Sequence, residues 1–360
     1  MWNRRPTLTS ARGAFAGGFN LVSHSSVRED EHQGHNMRKL FFAAACAVAL
    51  QSATGVMAET YPSRPITMVV PNSVGGSTDV IARIMAQGMG EVLGQTIVVE
   101  NTTGAGGTIG EGRIARSAPD GYTIGIGEWG TNVATGAIYP LRYDLMKDFE
   151  PVGLIATQPL LIVARKSMPA SNLKELIAWL RVDTSKATVG NSGVGSPSHV
   201  AGILFEKVVG AHFTMVPYRG AGESTQALLA QQTDVMFNTV AVSVGQMRSG
   251  SIKVYAVTAK SRLAMAPDIP TTDEAGLPGF YFSFWHAFWA PKGTPKEIIA
   301  KLNDALVKTL ANPVTRKKLI DLAQEIFPRD QQTPEALRAF QQAEIDKWWP
   351  IIKAANIKAE

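Results

Sequence analysis

The chain has 360 residues, of which 45% are hydrophobic, and its 35 Lys and Arg against 30 Asp and Glu give a formal charge of +5. No basic block marks a nucleic-acid surface, and a single cysteine, Cys46, excludes a disulfide framework or a thiolate metal cluster. At roughly 150 residues per domain, the length suggests two domains.

Met37-Arg38-Lys39 is a short basic start, Leu40 to Leu50 is apolar, and Val56-Met57-Ala58 places small residues before a cleavage point. That three-part pattern reads as a secretory signal peptide over residues 37–58. Residues 1–36 are polar and aperiodic and read as an upstream start-site artefact, with Met37 the expected start. Gln51, Ser52, Thr54 and Gly55 make the apolar run a poor membrane span, and no later run is long enough. A chain beginning at Glu59 would keep 302 residues (360 − 58), no cysteine, and 29 basic against 27 acidic groups, or +2 (35 − 6 and 30 − 3).

Beyond this leader, short apolar strands alternate with helical patterns. The expected strands are 66–71, 96–100, 122–127, 160–164, 187–191, 213–218, 234–238, 252–258 and 286–290. The expected helices are 80–93, 173–181, 200–209, 225–231, 295–311, 314–322 and 334–348. Such alternation argues for an α/β protein with mostly parallel sheets, in which ligands bind at the carboxyl ends of strands. Thr294-Pro295-Lys296-Glu297 reads as a capping box, and Thr333-Pro334-Glu335 repeats the Thr-Pro start.

Four polar, glycine-rich turns follow strands. The first is Asn72-Ser73-Val74-Gly75-Gly76-Ser77-Thr78-Asp79, with no Lys or Arg between Arg64 and Arg83. The second is Asn191-Ser192-Gly193-Val194-Gly195-Ser196-Pro197-Ser198-His199. Gly127-Glu128-Trp129-Gly130-Thr131-Asn132 and Pro217-Tyr218-Arg219-Gly220-Ala221-Gly222 complete the set. A strand, a Gly turn and a helix start make an anion site: the first helical amides lack internal partners and the dipole adds positive potential. One such turn alone is a tight connection; four at strand ends point to a site for a carboxylate held by neutral dipoles.

Enzyme signatures fail. Gly104-Ala105-Gly106-Gly107-Thr108-Ile109-Gly110 misses the dinucleotide fingerprint by one residue, and Gly190-Asn191-Ser192-Gly193-Val194 lacks the last glycine of a nucleophile elbow. His199, His212 and His286 show no ligand spacing, so no catalytic residue, metal or cofactor is expected.

The motifs Tyr61-Pro62-Ser63-Arg64-Pro65, Val69-Val70-Pro71, Gly75-Gly76-Ser77-Thr78-Asp79, Val99-Glu100-Asn101, Pro119-Asp120-Gly121-Tyr122-Thr123, Lys147-Asp148-Phe149, Ser192-Gly193-Val194-Gly195-Ser196, Val216-Pro217-Tyr218 and Glu274-Ala275-Gly276 follow in a known order. From Tyr61 to Ile357 the chain resembles the Bug family, the extracytoplasmic solute receptors of tripartite tricarboxylate transporters. The resemblance implies a type II-like, two-lobed periplasmic binding protein fold, with the ligand cleft between two mixed, mostly parallel sheets. It implies a domain 1 built from 59–160 and 285–360 and a domain 2 from 161–284, with hinges near 160–164 and 286–290. It also implies a periplasmic monomer that captures a small carboxylate and delivers it to membrane transport subunits. A ligand-loaded sensor partner and an enzyme on the same cleft remain alternatives. Carried over, Gly75, Gly76, Ser77 and Asp79 of the first loop, with Ser192, Gly193 and Ser196 of the second, hold a carboxylate.

Departures from the family pattern add Asn72, Glu128, Trp129 and Asn238 to the candidate ligand residues; Thr131, Asn132, His199, Tyr218 and Ala221 join them from the polar turns. Glu128 in the pocket would disfavour a second ligand carboxylate and favour a cationic or hydrogen-donating group, while Trp129 could stack on an aromatic ring. A monocarboxylate with an aromatic or amine portion is therefore expected.

Overall fold

A computed structural model of the protein describes residues 60–182 and 187–359. The signal-peptide reading of 37–58 and the upstream 1–36 lie outside the described residues.

The chain enters through β1 (Ile66–Val70), α1 (Ser77–Leu93), β2 (Ile97–Asn101), α2 (Thr108–Ala115) and β3 (Thr123–Glu128). β1 is nearly all buried, as a central parallel strand with covered faces must be. On α1, Ile81, Ala82, Met85, Ala86 and Met89 recur at helical spacing and form the buried stripe. Gly94 ends the helix at φ 68°, a left-handed conformation that favours glycine. The first sheet has the order β11-β4-β10-β3-β1-β2, where β4 is Phe149–Pro159, β10 is Ser283–Pro291 and β11 is Glu325–Ile326. The second has the order β7-β6-β8-β5-β9, with β5 (Leu161–Arg165), β6 (Thr188–Asn191), β7 (Thr214–Pro217), β8 (Val235–Asn238) and β9 (Ile252–Val257).

Both sheets are mixed. Between the named strands, parallel pairing runs through β2-β1-β3 and β7-β6-β8, where strand and helix alternate without interruption. The strands that carry the chain between the sheets, β4, β5, β9 and β10, pair antiparallel with their neighbours, so the parallel share is smaller than the alternation alone suggests. β4 falls in no expected strand because Pro151, Gly153 and Pro159 interrupt its pattern. It pairs with β10 all the same, with register shifts at His286/Ala287 and Phe288/Trp289 that absorb the irregularity.

The helices behind the second sheet are α4 (Leu173–Val182), α5 (Pro197–Val209), α6 (Ala221–Leu229) and α7 (Val240–Arg248). Back in the first, a single π-type turn at Gly130–Ala134 leads into the short α3 (Thr135–Ile138), and α8 (Lys296–Ala311), α9 (Pro313–Ile320) and α10 (Pro334–Ala354) close the chain. α10 begins with the expected cap, Thr333 accepting from the Ala336 amide at 3.1 Å. α8 does not: Thr294 Oγ1 donates instead to the Pro291 carbonyl at 2.7 Å, so the capping-box geometry is absent there. Trp348 of α10 packs edge-on against Trp129, ring centres 5.0 Å apart.

The chain crosses from one sheet to the other at Leu160, between β4 and β5, and again between β9 and β10. Thr258 ties the two crossings. Its amide donates to the Leu160 carbonyl (2.8 Å), its hydroxyl accepts from the Leu160 amide (3.0 Å), and its carbonyl accepts from the Phe282 amide (3.1 Å). The connection is thus two crossing segments held in register by hydrogen bonds.

Candidate functional site: a cavity of helix N-termini

A cavity of about 410 Å³ lies between the carboxyl ends of the two parallel runs. From the first sheet it receives Pro71 to Ser73 and Gly76 to Thr78 at the start of α1, the loop Thr103 to Gly107, Glu128 at the end of β3, and Gly130. From the second it receives Ser192 to Ser198 before and at the start of α5, Tyr218 to Ala221 before α6, and Phe237 to Thr239 before α7. Leu160 and Phe284 line it where the strands cross.

Four helices therefore start at this cavity. The first turns of α1, α6 and α7 receive no side-chain cap, and only α5 is capped, by Ser196 accepting from the His199 amide. Helix starts left without internal acceptors, aimed at one space, create a strong preference for negative charge without any formal cation. Serine hydroxyls stand among the amides. Ser77 Oγ accepts from Gln158 Nε2 at 2.6 Å and keeps its own hydrogen to donate. Ser198 Oγ accepts from the Ser192 amide (2.9 Å) and donates to Ser192 Oγ (3.2 Å), which leaves the Ser192 hydroxyl hydrogen free to donate. Thr78 Oγ1 bonds His286 Nε2 at 3.2 Å, and burial pulls that imidazole down to about 3, so it is neutral.

Two charged side chains line the cavity. Arg219 is exposed, and its guanidinium has no ion-pair partner among the described residues. Glu128 is buried, 3% exposed, with Oε2 accepting from the Gly130 amide at 2.7 Å. Burial pushes its carboxyl up to about 7, against the lowering effect of the Gly130 amide and, beside it, the Thr131 amide and the Asn72 side chain. Behind it Glu111 of α2 is also buried, and its carboxyl rises to about 8 through burial and, to a lesser degree, the Glu128 charge.

Of the residues singled out from the sequence, Asn72, Gly76, Ser77, Glu128, Ser192, Gly193, Ser196, Tyr218, Ala221 and Asn238 line the cavity. Gly75, Asp79, Trp129, Thr131, Asn132 and His199 do not, and each has a structural task. Asp79, 2% exposed, accepts from the Gly75 amide (2.9 Å), Arg83 Nη2 (2.9 Å) and Asn101 Nδ2 (3.0 Å). Burial alone would raise its carboxyl, but these bonds outweigh that and hold it below the ordinary value. Asn101 also donates to the Asn72 carbonyl (3.0 Å), so this network braces the first loop from behind. Trp129 is fully buried against Phe282 and Trp348. The chain turns from strand to π-turn there, which sends adjacent side chains to opposite sides, Glu128 to the cavity and Trp129 to the core. Thr131 donates to Asn132 Oδ1 at 2.7 Å beneath the site, and His199 Nδ1 accepts from the Gly195 amide at 3.2 Å. Burial draws the His199 ring down to about 4.

Sequence reasoning missed Thr103 to Gly107, Tyr139, Leu160, Arg219, Thr239 and Phe284. The first group carried a signal, its Gly-Ala-Gly-Gly run, and Arg219 and Thr239 sit beside the candidates Tyr218 and Asn238; Tyr139, Leu160 and Phe284 reach the cavity from elements that no local pattern marks. Tyr139 closes one side, donating from its hydroxyl to the Val194 carbonyl at 3.1 Å. Gly220 packs so tightly on Ser73 that a Cβ there would overlap the serine hydroxyl. Both contacts join loops of different sheets, so the two sides of the cleft touch across the cavity.

Two mixed sheets joined by paired crossings around a central cavity define a two-lobed periplasmic binding protein. More narrowly, residues 81–357 match the family described as "Tripartite tricarboxylate transporter family receptor", and the chain belongs to this family of solute-binding receptors. It is 37% identical over 300 residues to an Agrobacterium vitis protein from the TAR-I ttuE-ttuC' intergenic region, covering 83% of this chain and 86% of that one. Among solved structures it is similar to the periplasmic binding protein BugD, with a TM-score of 0.79 and 38% identity over 83% of this chain and 100% of BugD. It is also similar to MatC from Rhodopseudomonas palustris, solved with bound malate, with a TM-score of 0.77 and 38% identity over 81% and 100% of the two chains.

Proposed function

We propose that this protein captures a small carboxylate in this cavity and presents the loaded form to the membrane subunits of a tripartite tricarboxylate-type transporter. The observation that carries this reading is the meeting of four helix N-termini, three of them without side-chain caps, on one cavity. A carboxylate supplies acceptors for those amides and for the Ser77 and Ser192 hydroxyls, and meets favourable dipoles. Arg219 at the rim adds attraction for an approaching anion. The malate held by MatC is a ligand of this chemistry. Residues 59–160 with 285–360 would form one lobe and 161–284 the other, closing about the Thr258 crossings. The protein would act as a monomer in the periplasm after loss of the segment ending at Ala58.

The test is a thermal-shift screen of the purified protein against mono-, di- and tricarboxylates. A true ligand at 100 times its dissociation constant should add about 2.7 kcal/mol of stability. The reading fails if no carboxylate stabilises the protein, or if a hit is chemically converted during incubation.

A further inference from the structure

Glu128 is out of place in a cavity built to receive anions. It is the only carboxylate lining it, it is buried, and no ion pair reaches it among the described residues. Its hydrogen-bond donor among the described residues is neutral, the Gly130 amide on Oε2, with the Thr131 amide and the Asn72 side chain close by. A carboxylate accepts up to about four hydrogen bonds, so acceptor capacity remains. Asn72 shares the imbalance. Its side chain lies beside Glu128, and its Oδ1 is buried with no partner. One wall of the cavity therefore carries two under-used acceptors, in contrast to the donors that surround them. Leaving buried acceptors unmatched costs free energy that a ligand donor recovers.

We propose that Glu128, assisted by Asn72 Oδ1, is the specificity-determining residue of this receptor and binds an ammonium on the ligand, so that the preferred cargo is an amino-substituted carboxylate. This rests on the carboxylate reading and sharpens it: the helix N-termini take the carboxylate, and Glu128 separates amino-bearing ligands from their unsubstituted parents. An ammonium gives Glu128 the counter-charge that the protein withholds. A second ligand carboxylate against the same wall would force Glu128 to stay protonated. The groups that face Glu128 do not substitute for the ammonium. Glu111 is an acid, and His286, its register partner on β10, is held neutral by burial.

The experiment is isothermal titration calorimetry on the full protein with two matched pairs, succinate with aspartate and adipate with 2-aminoadipate. The wild type should favour the amino member of at least one pair by about tenfold, and Glu128→Gln should reduce that ratio to about threefold or less. A second readout needs no variant. Repeated near neutral pH in buffers of different ionisation heat, the amino ligand should release a fraction of a proton from the half-protonated Glu128, and a bound parent dicarboxylate should take one up. Equal affinity within both pairs, a ratio unchanged by Glu128→Gln, or proton uptake with the amino ligand would overturn the proposal. If no member of either pair binds while other carboxylates do, the amino preference fails alone. If no carboxylate binds at all, the receptor reading fails with it.

Discussion

The first loop, before α1, and the second, before α5, share a strand, a run of Gly and Ser, and a helix start, yet they are stabilised differently. The first is held from behind by charge: Asp79 gathers Gly75, Arg83 and Asn101, and Asn101 reaches the Asn72 carbonyl. The second is held by neutral groups: Ser192, Ser196 and Ser198 bond one another, and His199 takes the Gly195 amide. The same sequence motif thus gives a rigid anchor in one lobe and a hydroxyl network in the other. In both, side chains that look like ligand contacts in the sequence shape the backbone that makes the contact.

The comparison breaks most visibly at Asp79. Asp79→Ala strands Arg83 and Asn101 and removes the anchor of the Gly75 amide; it should cost about 2–4 kcal/mol of stability in chemical denaturation, allowing for the half-exposed Arg83. No matching acid exists in the second loop, so His199→Ala should cost less. Gly220→Ala comes next. Its Cβ would press on Ser73 and hold the lobes apart, weakening ligand by about tenfold or more with little change in unfolding midpoint.

The two serines should then separate. Ser77→Ala leaves Gln158 Nε2 buried without an acceptor and should lower stability and affinity together, each by about 1–3 kcal/mol. Ser192→Ala removes a hydroxyl whose hydrogen is free, and should lower affinity by about 1 kcal/mol with almost no loss of stability. Equal losses of stability in the two variants would erase the distinction. Smallest of all, Trp129→Phe should leave ligand affinity within about twofold, since its buried Nε1 has no partner to lose and the ring faces the core.

Buried titratable groups add a pH test. Glu111 and Glu128 keep their protons in the fold to about 8 and about 7 but ionise near 4.5 when unfolded, so their contribution is full below 4.5 and is lost as pH rises through the folded values. His199 and His286 titrate near 4 and 3 in the fold but near 6.5 unfolded, so theirs is lost as pH falls below 6.5. Stability of the ligand-free protein should therefore be greatest between 4.5 and 6.5, and Glu111→Gln should flatten the fall on the alkaline side. Stability that climbs from neutral to pH 8 would contradict this.

The strand–helix alternation was legible because its strands are uninterrupted apolar runs such as Ile66 to Val70, and its helix ends carry Gly94 or Thr333-Pro334. β4 was hidden by its prolines, α2 by Gly110 and Gly112, and α7 by a β-branched run that reads equally as strand. At the site, the glycine turns advertised themselves, since a backbone approached closely by a ligand or another loop needs glycine. Direction within a turn did not: nothing local tells that Glu128 faces the cavity and Trp129 the core, because the register of β3 against β10 decides it. Asp79 looked like a contact because an acid at a helix start is equally a dipole partner, and only Asn101 and Arg83 reveal the brace.

The most direct measurement is a 15N-resolved titration of the assigned protein with its tightest carboxylate, following the amides of the first turns. Held at the helix starts, the carboxylate should shift Ser77, Thr78, Ala221 and Val240 downfield together and saturably, as hydrogen bonds of about 2.9 Å form. If those four amides stay still while the ligand binds, its charged group lies somewhere other than the meeting point of these helices.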